Sequence, residues 1–169
     1  MTAWAILALV FPILMAWCAV SDFFTMRIPN ALTLTVIGCF LVIAPLAGLG
    51  PASIGWHIVL ALCVLAVTYV CYTFGFIGGG DAKMCAAIML WMGPSFALDY
   101  GFIFALLGGL LTVFMMVVKR FPVVPVVGGT EWYGRLAHPE TGVPYGIALA
   151  AGALLVYPYT HLYISLIGV

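Results

Sequence analysis

Residues 54–76 read IGWHIVLALCVLAVTYVCYTFGF, 23 positions without an Asp, Glu, Lys or Arg among them. As a helix rising 1.5 Å per residue this run is about 34 Å long, enough to cross roughly 30 Å of hydrocarbon. It is followed at once by IGGGDAKM, residues 77–84, where three glycines lead into an aspartate and a lysine. Glycines weaken a helix, and a charge beside hydrocarbon is costly, so this junction asks for a reason.

The rest of the chain repeats the pattern. Of 169 residues 66% are hydrophobic and only 6% charged, with no net charge, against about 25% charged in soluble domains. A water-facing surface cannot be built from so few charges. The chain reads as an all-α, polytopic membrane protein, a single transmembrane domain over residues 1–169. Its six apolar segments lie at Thr2–Ser21, Ala31–Leu49, Ile54–Phe76, Met84–Leu98, Gly101–Val118 and Val143–Ile167. The fourth is short and contains Pro94; the sixth contains Pro158, a point of kinking or division. The runs do not alternate as barrel strands do, and backbone groups in lipid pair internally, which favours helices. The first segment lacks a basic flank, so it reads as a membrane helix rather than a cleaved signal.

Charge orients these spans. Arg27 falls in the first loop, Lys83 in the third, and Lys119, Arg120 and Arg135 in the fifth, which covers residues 119–142. The positive-inside rule puts those loops in the cytoplasm and both termini on the other side. Asp22 and Asp81 then share the cytoplasmic face. Asp99 falls in the fourth loop.

Asp81 opens the fourth segment, where a carboxylate caps free N–H groups and suits the positive end of the helix dipole. Asp22 closes the first segment, where the dipole disfavours an anion; a functional role is the stronger reading there. Two carboxylates that share one proton titrate as a pair, one acting as base and the other as acid toward water. Asp22 and Asp81 are the candidate dyad, with Arg27 and Lys83 as the neighbouring cations that tune it. Gly78, Gly79 and Gly80 let the backbone unwind and a substrate approach. Pro144, Tyr145 and Gly146, at the start of the last segment, complete the candidate substrate site.

Three stretches carry a family resemblance: SDFFTMRIPNALTL (21–34), GGGDAKMCAAIMLWMG (78–93) and VPYGIALAAG (143–152). Together they resemble the type IV prepilin peptidases, membrane aspartic proteases with a G-x-G-D motif, and most of all the short form that serves Flp (Tad) pili. The resemblance implies a multi-pass enzyme of the bacterial inner membrane that removes the leader peptide from prepilins at the cytoplasmic face. It implies that Asp22 and Asp81 are the catalytic pair. Longer members carry paired C-x-x-C zinc motifs and also N-methylate the new terminus. The five cysteines here, Cys18, Cys39, Cys63, Cys71 and Cys85, form no such motif, so neither metal, cofactor nor methyl transfer is expected. The expected partners are a prepilin and the bilayer, with no nucleic acid. Glu131 and Glu140, in the fifth loop, are candidates to attract a basic leader.

Two rival classes compete with this reading. Intramembrane acids also mark proton or ion paths in small transporters, although here they sit at one rim. A haem or structural subunit would draw on His57, His138 and His161, whose placement gives no common haem plane.

Overall fold

The computed structural model describes residues 2–120 and 142–168. Glu131, Arg135, His138 and Glu140 lie outside the described residues. The described chain is helical, in the order α1 (Thr2–Thr25), α2 (Asn30–Leu46), α3 (Pro51–Thr73), α4 (Gly79–Arg120), α5 (Tyr145–Val156), a short 3₁₀ turn (Tyr157–Tyr159) and α6 (His161–Ile167). Among the described residues three helices are long and apolar enough to cross a membrane: Trp4–Thr25 within α1, α3 and α4. The pair α5–α6, bent by 58°, makes a fourth if taken as one span, and α2 is a shorter apolar helix.

Several boundaries differ from those expected. The first helix continues past Ser21 to Thr25, so Asp22 lies in its last turn rather than beyond it. No loop separates a fourth span ending at Leu98 from a fifth starting at Gly101; Asp99 is an exposed helical residue. The break comes earlier, at Gly93, with φ 69° and ψ 174°. The cause is Pro94. Its ring disfavours helical geometry in the residue before it, and only glycine takes that positive φ without strain. α4 therefore has two arms, residues 79–92 and 94–120. Pro158 does divide the last segment, and the Thr160 hydroxyl accepts from Tyr163 N–H to start α6.

Pro94 also has no N–H to give the carbonyl of Leu90, its normal helical partner four residues back. His57 of α3 supplies the missing donor: its Nδ1 lies 2.6 Å from Leu90 O, which fixes the Nδ1–H tautomer. The imidazole stacks on Phe40 and fills the space beside Gly93, where a Cβ would stand 2.4 Å from His57 Cε1. This is the role of the histidine that composition alone left as packed or ligating.

The first arm of α4 is the centre of the bundle. Met84 to Met92 are all buried, while α3 turns most of its length outward. Trp91 is the principal core residue. It stacks on Phe11 of α1 at 4.7 Å, meets Phe40 of α2 edge-on, and donates through Nε1 to Val36 O at 3.1 Å. Tyr157 closes the cluster against Phe11. This aromatic core holds the arm ten residues, about 15 Å, beyond Asp81.

Replacing His57 by Leu strands the Leu90 carbonyl in an apolar setting and should cost about 1–3 kcal/mol. Thermal unfolding in detergent should show the loss, with His57→Asn losing less. Equal stability of His57→Leu and wild type would dismiss this bond.

Candidate active site

The site is built from three chain segments. The first is the end of α1. Met26 ends the helix at φ 53°, a left-handed value uncommon outside glycine, while its N–H still donates to Asp22 O at 2.8 Å. Side chains hold this turn: the Ser21 hydroxyl donates to Arg27 O at 3.0 Å, and the Thr25 hydroxyl to Ser21 O at 2.7 Å. The chain then runs through Ile28 and Pro29, whose extended backbone starts α2.

The second segment is residues 75–81. Gly75, Phe76, Ile77 and Gly78 form the irregular backbone, whereas Gly79 and Gly80 already stand in the first turn of α4. The expected unwinding is thus confined to Gly78 and the residues before it. Gly79 and Gly80 act through close packing. A Cβ on Gly79 would meet the Tyr72 ring at 3.2 Å, and one on Gly80 would meet Ile28 Cβ at 3.3 Å. The turn after α1 therefore rests directly on the glycine stretch. Asp81, third residue of the helix, folds its carboxylate back over Gly78, where a Cβ would lie 2.8 Å from Oδ2, the position of the reach-back half of a capping box.

The third segment is the start of α5. Its N-cap is Pro144, with no side-chain cap of its own. Asp22 provides one from another helix: Gly146 N–H donates to Asp22 Oδ2 at 2.7 Å, in a buried setting. Asp22 is only 4% exposed, so this bond is what makes its burial tolerable. The unfavourable end of α1 is offset by the favourable N-terminus of α5. Gly146 has to be glycine for steric reasons, since a Cβ there would lie 2.8 Å from both Asp22 Cβ and Oδ2. Tyr145 points its hydroxyl to Thr112 Oγ1, 2.9 Å away, tying α5 to the second arm of α4.

Asp22 and Asp81 line one open cavity of about 580 Å³, and the charge of each is felt nearby: Asp22 acts on Asp81, and both act on Cys18, one turn deeper in α1. Of the other expected site residues, Gly78, Gly79, Gly80, Pro144, Tyr145 and Arg27 also border this cavity. Gly146 stands behind Asp22 as its anchor. Lys83 is not in the cavity. Its ammonium donates to Asn30 Oδ1 at 3.1 Å, because two residues along a helix turn the side chain to the opposite face. Arg27 borders the cavity without forming an ion pair with Asp22 among the described residues. Among the described residues no three His, Cys, Asp or Glu side chains converge as metal ligands.

A model of the type IV leader peptidase family matches residues 9–117. The chain belongs to that family. No curated protein and no solved structure matches it significantly. The family match covers both aspartates and the glycine stretch, and it fits a multi-pass membrane peptidase with several apolar helices. The contact that buries Asp22 lies beyond it, at Gly146. Sequence reading placed Gly146 with the substrate and missed this anchor. The available signal was a proline-started helix with no cap of its own, and an aspartate at the end of another helix in need of a donor.

Gly146→Ala should push the Asp22 carboxylate from its donor and lower the rate of leader-peptide cleavage about 10- to 100-fold, as displacements near 1 Å do. Gly109→Ala, where a Cβ meets nothing within 4 Å, should leave the rate unchanged. Equal rates for the two variants would remove Gly146 from the site.

Proposed function

We propose that this leader peptidase is an intramembrane aspartic endopeptidase, with Asp22 and Asp81 as its catalytic pair, acting on Flp-type prepilins at the cytoplasmic face of the bacterial inner membrane. The observation that carries this reading is the placement of two carboxylates from separate helices on one open cavity. Asp22 accepts from one backbone donor, Gly146 N–H, and each carboxylate has two acceptor oxygens, so each retains capacity for water or a peptide.

One carboxylate, ionised, takes a proton from a water molecule as the water oxygen adds to the scissile carbonyl. The other, protonated, donates to the carbonyl oxygen as negative charge develops there. The tetrahedral intermediate then collapses: the second carboxylate takes back a proton from a hydroxyl of the gem-diol as C=O re-forms, the C–N bond breaks, and the leaving amine receives the proton that the first collected from water. The irregular backbone at 75–78, together with 142–145 across the cavity, is where an extended leader would lie.

The six apolar segments are taken as six crossings, the arms of α4 counted separately, with both termini outside. Support comes from the shared cavity: it gathers the ends of the first and third connections and residues 142–145 on one side, and Arg27 lies there as the positive-inside rule requires. The absence of C-x-x-C pairs from the sequence supports a peptidase without N-methyltransferase activity.

Purified protein incubated with a Flp-type prepilin should release the leader, and Asp22→Asn or Asp81→Asn should each lower the rate at least about 100-fold, the scale of general acid–base catalysis. Wild-type cleavage by either variant would end the proposal. A wild-type rate that forms a bell against pH is also expected, because the two limbs belong to the pair.

A further inference from the structure

A second cavity, of about 560 Å³, lies between α2, α3 and the first arm of α4, and shares no lining residue with the aspartate cavity. Its floor is made of small side chains, Ala86 and Ala87, and its rim of exposed leucines, Leu34 and Leu41 on α2 and Leu62 and Leu65 on α3. It therefore opens sideways, toward the medium that surrounds the apolar helices. One end alone is polar. There Lys83 and Asn30 meet, the ammonium donating to the amide oxygen at 3.1 Å.

Length and polarity select the occupant. From Asn30 to Leu41 the groove follows eleven residue steps of α2, about 16 Å, and is apolar beyond its one polar end. A single extended hydrocarbon chain lies along it. Charge selects the other end of the ligand. An ammonium has three donors; one of Lys83's goes to a neutral amide, and among the described residues it has no acidic partner. Basic pockets between membrane helices at the rim bind acidic lipid headgroups.

We propose that this groove is a site for an anionic phospholipid, with Lys83 and Asn30 at its phosphate and one acyl chain lying between α2 and α3. The site is independent of the peptidase assignment, since it involves neither aspartate nor their cavity.

The test uses the purified full chain in nonionic detergent, titrated with phosphatidylglycerol or phosphatidylcholine and read by native mass spectrometry. Phosphatidylglycerol should bind about fivefold more tightly, the contribution of one lysine near a headgroup, and Lys83→Gln should remove that preference. Phosphatidylglycerol carrying a photoreactive acyl chain should label the peptides that contain Leu34 or Leu62. Soluble glycerophosphoglycerol, which lacks the chains, should not displace it. Equal affinity for the two lipids, an unchanged preference in Lys83→Gln, labelling confined to other helices, or displacement by the soluble headgroup would each overturn the site. Displacement by an apolar helical peptide would assign the groove to a helix instead and likewise overturn it.

Discussion

The bond from Gly146 N–H to Asp22 Oδ2 is the contact on which the architecture at this end of the molecule depends. A carboxylate in the last turn of α1 is at the wrong end of its own helix dipole, and it is almost wholly buried. α5 begins at a proline that cannot cap it. Each element has what the other lacks. Joining them fixes α1 against α5, and the turn that follows α1 then brings Ile28 onto Gly80. Asp81, in the first turn of α4, faces the same cavity as a consequence. Both carboxylates thus sit at helix N-termini, one of its own helix and one of a neighbour's.

The same accounting runs through the apolar interior. Where water is absent, a backbone carbonyl released from a helix ladder has to find a donor in the protein. Pro94 releases the carbonyl of Leu90, and His57 reaches across from α3 to take it. The bend at Gly93 would otherwise be an expensive defect; with His57 in place it is a fixed corner. The corner lets the short first arm of α4 sit at the centre of the bundle while the second arm packs along α5. Trp91 then anchors the arm to α1 and α2 through stacking and its own N–H. With so few polar side chains in the chain, several of them serve displaced backbone groups.

Lys83 and Asp81 illustrate how a helix divides labour over one half-turn. The aspartate faces the open cavity and the lysine faces Asn30 at the head of an apolar groove. In sequence they look like an ion pair in waiting. In space each has a different neighbour, and of the two expected cations Arg27 borders the site and Lys83 does not.

Much of this was legible in the residues. Composition and run length required a bundle of apolar helices, since ten charged side chains cannot cover a soluble surface. The two aspartates, the glycines and the late P-Y-G stretch were visible as interruptions, because an ionisable or helix-weakening residue beside hydrocarbon stands out against its surroundings. What sequence could not supply was the identity of the partners. That Asp22 meets Gly146, 124 positions away, and that His57 satisfies Leu90, 33 positions away, are long-range matters, whereas the bend of α4 at Gly93 rather than near Asp99 has a local cause in Pro94. Local pattern reports which groups need a hydrogen bond. Only the packing of the helices decides which group provides it.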